Sequence, residues 1–164
     1  MSAKNLLSNI GKIVFMGDSI TKMWKQFRPD FFSDTNLINK GVGGEVTKQM
    51  LLRFRKDVIE LQPAMVIILA GINDIAQNDG YISIEDTAGN IKSMGELADY
   101  HDIKVVLCSV LPAIDFPWSP GLNPAPKVVK LNAIVHEFAR VKGFSYVDYY
   151  SAMVDEQGGL CVPD

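Results

Sequence analysis

Five short apolar runs alternate with segments of helical periodicity along this chain, and this alternation restricts the possible fold more than any other feature. The runs occupy residues 13–16, 37–39, 65–70, 105–110 and 144–147. A strand that is apolar at successive positions is buried on both faces, as in a parallel sheet that carries helices on each side. The pattern therefore predicts an α/β fold, a three-layer α/β/α sandwich of doubly wound type around a five-stranded parallel sheet.

Four segments between these runs carry apolar residues at the spacing of an amphipathic helix, and Ser83 is the predicted N-cap of the third. No linker or internal repeat interrupts the pattern, so residues 1–164 are expected to form a single domain. Residues 112–126 hold five prolines, which predicts a shaped loop after the fourth strand. The apolar helical positions are Ile20, Met23, Trp24 and Phe27; Val46, Met50, Phe54, Val58 and Leu61; Ile84, Ala88, Ile91 and Ala98; and Val128, Leu131, Val135 and Phe138.

Charge and hydropathy argue against several classes of partner. Sixteen basic and nineteen acidic residues give a net charge of −3 without a long run of either sign, so neither nucleic acid nor an anionic membrane is an expected partner. No apolar run approaches the roughly 18 residues of a membrane span, and residues 1–10 do not resemble a secretory signal. The native compartment and the oligomeric state stay undetermined. Cys108 lies in an apolar strand pattern and is predicted to be a core residue.

A polar or glycine-rich turn follows each of the first three predicted strands, with Ser19 after the first, Gly44 after the second and Asn73 after the third. In open parallel sheets ligands bind beyond the carboxyl ends of the strands, so these residues are expected at one edge. Ser19 is the candidate nucleophile. Its backbone N–H, the backbone N–H of Gly44 and the side-chain amide of Asn73 are candidate donors to an oxyanion. Asp18 and Asp74 are predicted to hold the local turns through bonds to backbone N–H groups.

At these positions the chain resembles the SGNH hydrolases, also called the GDSL esterase and lipase family. Residues 17–19 (Gly-Asp-Ser) are similar to the block with the family's nucleophile, and residues 41–45 (Gly-Val-Gly-Gly-Glu) to the block whose glycine donates to the oxyanion. Residues 71–74 (Gly-Ile-Asn-Asp) are similar to the block with the asparagine donor. The resemblance implies a flavodoxin-like sheet and no metal or cofactor. It also implies a serine esterase that forms an acyl-enzyme on Ser19 and cleaves short-chain, acetyl-type esters of sugars or small molecules.

The chain departs from that family at a fourth block, in which an Asp is followed three residues later by a His. The sequence ends at Asp164 and has no His after His136. His101 precedes the fourth predicted strand and should lie at the opposite edge of the sheet, whereas His136 falls on the solvent face of its predicted helix. A serine hydroxyl is a weak nucleophile without a general base. We therefore expect a domain truncated before the catalytic His, and an impaired esterase.

Two other functions fit parts of the pattern. A non-catalytic ligand-binding or assembly module of flavodoxin-like fold would keep the pocket without the base. A nucleotide or flavin binder would hold a phosphate on the glycine-rich turn at residues 41–44, although no complete Gly-x-Gly-x-x-Gly or Walker pattern is present. Asp148 is predicted to cap the segment that starts at Tyr149 rather than to act as a triad acid. Phe116 and Trp118 in the proline-rich loop either line an acyl or sugar pocket or only pack.

Overall fold

The computed structural model describes residues 11–161, and these contain five strands and six α-helices. Short 3₁₀ helices at Phe31–Ser33 and Ile59–Leu61 complete the set. The strands are β1 (Ile13–Gly17), β2 (Leu37–Gly41), β3 (Met65–Leu69), β4 (Lys104–Cys108) and β5 (Ser145–Val147). The helices are α1 (Ser19–Phe27), α2 (Thr47–Asp57), α3 (Ile72–Ile75), α4 (Ile84–Tyr100), α5 (Pro124–Lys142) and α6 (Tyr149–Met153).

The five strands form one parallel sheet in the order β2-β1-β3-β4-β5. This arrangement confirms the predicted five-stranded parallel sheet, and its order is that of flavodoxin-like folds. The strand order reverses between β1 and β3, at the position where such folds bind ligands. The carboxyl ends of β1, β2 and β3 therefore lie side by side.

Strand ends differ from the sequence prediction by one or two residues. β2 continues to Gly41 because Lys40 and Gly41 still pair with Met16 and Gly17 of β1. β4 stops before Val110 because the side-chain amide of Asn132 binds the Val110 backbone, accepting from its N–H at 2.7 Å and donating to its carbonyl at 2.9 Å. A side chain thus replaces the neighbouring strand at that position.

Alternate residues of each strand face two different layers. Val14 and Met16 of β1 point into the larger core, which is covered by α2, α4 and α5. Their neighbours Ile13 and Phe15 point to the opposite face, where Phe15 packs with Trp24, Phe31 and Phe32. The larger core is built from the helical positions predicted for α2, α4 and α5, including Met50, Phe54, Ile91, Val128 and Leu131.

The second face of the sheet is less completely covered by residues 11–161 than the prediction of a fully sandwiched sheet implies. α1 buries only Thr21, and its Phe27 is 76% exposed. Between α1 and the short helix α6 lies an apolar groove of about 210 Å³. Its lining includes Phe15, Trp24, Ile67, Cys108, Tyr149 and Met153. The predicted helix α1 is present, but two of its four predicted apolar positions, Met23 and Phe27, are exposed, and these nine- and five-residue helices cover only part of this face.

The predicted caps and the core cysteine are confirmed. Ser83 Oγ accepts the Asp86 N–H at 3.0 Å at the start of α4, and Asp148 accepts the Ser151 N–H at 3.0 Å at the start of α6. Cys108 is buried, and desolvation raises the pKa of its thiol to about 12. Within residues 11–161, no helix has both the length and the apolar character needed to cross a bilayer.

Candidate active site

Two glycines allow the first helix to begin close against the ends of β1 and β2. Gly17 and Gly41 pair in register. A methyl group on Gly41 would lie 2.8 Å from the carbonyl oxygen of Asp18 and would overlap the backbone nitrogen of Lys22. Because no side chain stands at this position, α1 starts directly above the carboxyl edge of the sheet, with Ser19 as its first residue.

Ser19 is partly exposed at this helix N-terminus. Among residues 11–161, neither its Oγ nor its backbone N–H has a hydrogen-bond partner. The first N–H groups of a helix have no acceptor within the helix, and the helix dipole favours negative charge there. Ser19 therefore combines an available hydroxyl with an available backbone donor.

Asp18 caps the same helix from a buried position. Its Oδ1 accepts the Ile20 N–H at 2.9 Å, which confirms its predicted role in the turn. Desolvation raises the pKa of Asp18 to about 6, because burial of the carboxylate outweighs the stabilising bond from Ile20. The nearby carboxylates of Asp74 and Glu45 act in the same direction with smaller effect.

Replacement of Asp18 by asparagine should remove a pH dependence of stability. The folded pKa lies above the unfolded value of 3.8, so stability that is fully present below pH 3.8 is lost as the pH rises through about 6. Asparagine can accept the same bond from Ile20 without ionising. Relative to the parent chain, we expect the free energy of unfolding of D18N to increase by about 1–3 kcal/mol between pH 4 and pH 7.

Urea unfolding of D18N and the parent chain at both pH values measures this difference. D148N is a matched control, because the bonds from Ser151 lower the pKa of Asp148. The stability that Asp148 contributes is lost only as the pH falls below its unfolded pKa of 3.8, so the difference between D148N and the parent chain should be nearly the same at pH 4 and pH 7. If the free energies of unfolding of D18N and the parent chain differed by the same amount at pH 4 and pH 7, a raised pKa of Asp18 would be contradicted.

The loop that follows β2 is held by an arginine of α2. The Nε of Arg53 lies 2.8 Å from both carboxylate oxygens of Glu45, its Nη1 lies 2.8 Å from Asp57, and its Nη2 lies 2.9 Å from the Lys40 carbonyl oxygen. Burial alone would lower the pKa of Arg53, but the bonds to the two carboxylates outweigh it and raise the pKa. These contacts anchor the backbone on both sides of Gly44.

Gly44 itself has a backbone φ of +76°, in the left-handed region that favours glycine. Within the described part of the chain its N–H has no acceptor. A methyl group placed on the neighbouring Gly43 would lie 4.0 Å from the Cβ of Ser19. A side chain at position 43 would therefore contact the serine, which shows that the loop passes close to Ser19.

Asn73 reaches the same place from the end of β3. It lies in the short helix α3 and is 5% exposed. Its Nδ2 donates to the Glu45 carbonyl oxygen at 3.0 Å, which uses one of the two N–H groups of that nitrogen. The structure thus brings the three predicted site residues, Ser19, Gly44 and Asn73, to the carboxyl edges of three adjacent strands.

Asp74 bonds to a backbone N–H, as predicted, but that N–H lies in a distant segment, so the predicted role in the local turn was wrong. Its carboxylate accepts the Thr47 N–H at 2.9 Å and the Thr47 Oγ1 hydroxyl at 2.6 Å, 27 residues away. Asn90 in turn donates to Thr47 Oγ1 at 3.0 Å. Burial raises the pKa of Asp74, while the bonds from Thr47 oppose that change. Asp74 therefore connects the third loop to the start of α2.

Both histidines lie away from Ser19, as predicted. His101 follows α4 at the amino edge of the sheet, next to the start of β4. His136 is exposed on α5, and its ring stacks on Tyr146 of β5 at 4.5 Å. β5 is three strand spacings from β1, or about 14 Å. Within residues 11–161, no group of three His, Cys, Asp or Glu side chains is suited to hold a metal ion.

Two residues near the site, Asn78 and Trp118, have contacts that the sequence did not predict. Asn78 was not singled out, although it lies only five residues after Asn73 in the same turn. Its side chain contacts both Asn73 and Gly44. Trp118 reaches Asn78 from the proline-rich loop, whereas Phe116 is 3% exposed and packs in the core. Trp118 therefore lies beside the site and Phe116 belongs to the core, a difference that the sequence did not reveal.

Comparisons with known proteins point to one family. The model of the GDSL-like Lipase/Acylhydrolase family matches residues 15–161, which include all three loops of the site. A GDSL-like lipase structure from Bacteroides thetaiotaomicron is 45% identical with a TM-score of 0.89, over 93% of this chain and 76% of that one. A Bacteroides fragilis structure, of a protein proposed to be an acylhydrolase, is 41% identical with a TM-score of 0.89, over 98% and 85% of the two chains. Platelet-activating factor acetylhydrolase IB subunit alpha2 from Rattus norvegicus is 23% identical, and the match spans 93% of this chain but only 65% of that relative's length.

Proposed function

Because this chain belongs to the GDSL-like lipase/acylhydrolase family, we propose that it is a serine hydrolase of carboxylic esters. The observation that carries the proposal is the convergence of one hydroxyl and three donors at the sheet edge. The Ser19 Oγ, the Ser19 N–H and the Gly44 N–H have no partners within residues 11–161. The second N–H of Asn73 Nδ2 completes the set.

In the proposed reaction the Ser19 Oγ attacks the ester carbonyl carbon and gives its proton to a base, which is solvent water where no imidazole lies beside Ser19. The carbonyl oxygen becomes an oxyanion, which accepts hydrogen bonds from the Ser19 N–H, the Gly44 N–H and the Asn73 Nδ2. Collapse of this intermediate breaks the bond to the alcohol, which leaves with a proton. Water then attacks the acyl-enzyme in the same way and releases the acid and the free Ser19 hydroxyl.

We propose that the 164-residue chain is an impaired form of this enzyme. His101 and His136 are its only histidines, and both lie far from Ser19. Without an imidazole beside it, the hydroxyl reacts slowly. The same observation favours the second candidate function, a non-catalytic ligand-binding or assembly module that uses the site without turnover. Saturable ester binding without release of acid would distinguish the module from a slow esterase.

For the acyl group we propose acetyl or another short chain, carried by a small alcohol or a sugar. The name of the Rattus norvegicus relative, an acetylhydrolase, supports a short acyl group. p-Nitrophenyl acetate, butyrate and octanoate share one leaving group, so their relative rates report the acyl preference alone. A higher specificity constant for octanoate than for acetate would contradict a short-chain enzyme.

Replacement of Asn73 by alanine tests the proposed oxyanion site. An activated organophosphonate should label the parent chain on Ser19, as located by peptide mapping. Loss of the Asn73 donor should slow this labelling about 10²–10³-fold, the usual effect of removing one oxyanion donor. N132A is the control, because it removes an amide of the same size whose bonds go to the Val110 backbone after β4, two strands from β1. Labelling elsewhere than Ser19, or equal rates in N73A and N132A, would overturn the proposal.

A further inference from the structure

The side chain of Asn78 connects the two parts of the site that supply the proposed oxyanion donors. Its Nδ2 donates to the Oδ1 of Asn73 at 3.0 Å and to the carbonyl oxygen of Gly44 at 3.3 Å. Its Oδ1 accepts the indole Nε1–H of Trp118 at 3.1 Å. The Asn78 amide therefore binds the side chain of Asn73, the backbone of Gly44 and Trp118 of the proline-rich loop.

This set of bonds determines which way both amides face. If the Asn78 amide were flipped, its oxygen would oppose two acceptor oxygens, and its NH₂ group would oppose the Trp118 N–H. The same reasoning applies to Asn73, whose Oδ1 is held by Asn78 while its Nδ2 binds the Glu45 carbonyl. An oxyanion needs an N–H from Asn73, and a flipped Asn73 would instead present an oxygen.

The backbone places Asn78 over Asn73 by a specific turn. Gln77 has a φ of +58°, in the left-handed region that is unfavourable for a residue with a side chain. The Asn78 N–H then bonds back to the Asn73 carbonyl oxygen at 3.0 Å. The chain after α3 thus reverses so that the two asparagine side chains meet.

Trp118 is fixed in turn by its own loop. Its ring lies 5.3 Å from the ring of the buried Phe116, and the Ser119 N–H bonds to the Phe116 carbonyl oxygen at 2.9 Å. Trp118 is 64% exposed, so burial of apolar surface does not explain its position by itself. The hydrogen bond to Asn78 gives its indole N–H a specific partner at the edge of the site.

We propose that Asn78 is a positioning residue that aligns Asn73 and Gly44 for the oxyanion, and that Trp118 orients Asn78. This inference rests on the proposed function of the same site. Asn78 does not touch the reacting atoms. It holds the amide oxygen of Asn73, so that the second N–H of Asn73 Nδ2 stays available to an oxyanion, and it couples the conformation of the proline-rich loop to the reactivity of the serine.

The test compares N78A, N78D and W118F with the parent chain and with D79N. Asp79 is adjacent to Asn78, and within residues 11–161 its side chain makes only a surface ion pair with Lys48, so D79N is a matched control for the loop. The measured quantities are the first-order rate constant and the apparent binding constant for organophosphonate labelling of Ser19. We expect the first-order constant to fall about 10- to 100-fold in N78A and N78D, part of the full effect of a lost donor. W118F should lower it about 2- to 10-fold, the range for one neutral hydrogen bond.

A second measurement does not depend on reactivity. The chain has two tryptophans, so its ¹H–¹⁵N spectrum contains two indole N–H resonances, from Trp24 and Trp118. In N78A the Trp118 resonance should shift upfield as its hydrogen bond is lost, while that of Trp24 stays in place. D79N should leave both resonances, the labelling rate constant and the binding constant close to those of the parent chain.

The outcomes separate this inference from the proposed function. Labelling of the parent chain on Ser19 with an unchanged first-order constant in N78A and N78D overturns the positioning role alone. Weaker apparent binding of the organophosphonate with an unchanged first-order rate constant also overturns the positioning role, because an oxyanion donor acts on the chemical step. Absence of any Ser19-dependent labelling in the parent chain overturns the proposed function and this inference together. An unshifted Trp118 resonance in N78A overturns the role of Trp118.

Discussion

Replacement of Ser19 by alanine is expected to abolish covalent labelling by the organophosphonate and to lower p-nitrophenyl acetate hydrolysis to the uncatalysed rate. No other hydroxyl in the described chain stands at the N-terminus of a helix beside an available glycine N–H and the Asn73 amide. Removal of the Oγ leaves the backbone and amide donors in place but takes away the atom that attacks the ester in the proposed reaction. The expected effect is therefore a complete loss rather than a partial one.

Ser93→Ala is the matched control for this experiment. Ser93 is exposed on α4, and its hydroxyl donates to the Gly89 carbonyl within the helix at 2.9 Å. S93A should label and hydrolyse like the parent chain. Hydrolysis that persists undiminished in S19A would identify a different nucleophile and would contradict the proposal. Equal background rates in the parent chain and S19A would mean that the 164-residue chain is catalytically incomplete, and covalent labelling of Ser19 would then distinguish an impaired esterase from the binding module.

Replacement of Gly41 by alanine is expected to lower the free energy of unfolding by at least about 3 kcal/mol, or to prevent folding. The added methyl group would overlap the Lys22 backbone nitrogen and lie 2.8 Å from both the Lys22 Cα and the Asp18 carbonyl oxygen. All three are backbone atoms, so no rotamer change relieves the clash. The first turn of α1 or the end of β2 must move, and either movement displaces Ser19.

Urea unfolding measures this effect, with Gly89→Ala as the control. Gly89 lies inside α4, and a methyl group there would meet no atom within 4 Å. G89A should be as stable as the parent chain or more stable by up to about 1 kcal/mol, because alanine favours the helix. If the free energy of unfolding of G41A lay within about 1 kcal/mol of the parent value, the close approach of α1 to Gly41 would not be required for folding.

Much of the fold followed from local patterns. Val66 and Ile68 lie in an apolar run and are buried in the central strand β3, and Met50 and Phe54 occupy the predicted inner face of α2. These predictions succeed because burial on two faces requires apolar residues at every strand position, and burial of one helix face requires them at every third or fourth. Ser83 and Asp148 as caps follow from an equally local rule, since each bonds to an N–H three residues away.

Other features of the site depended on contacts between distant segments. The prediction for Asp74 failed because its partner, Thr47, lies 27 residues earlier in the chain. Trp118 could not be assigned because its partner, Asn78, lies 40 residues away on another loop. The partial cover of the second sheet face was also invisible in the periodicity of α1, since a pattern shows which residues are apolar but not how far a helix extends over its neighbours.

The sequence by itself determined the sheet, its helices and the edge at which Ser19, Gly44 and Asn73 meet. Each of these depends on residue spacing and on the general rule that the ends of parallel strands coincide. The tertiary structure alone decided how the Asn73 amide is oriented, because that orientation depends on Asn78 and on the Glu45 carbonyl. Spacing along the chain locates a side chain, but hydrogen bonds from other loops determine its direction, and that direction determines whether it can donate to an oxyanion.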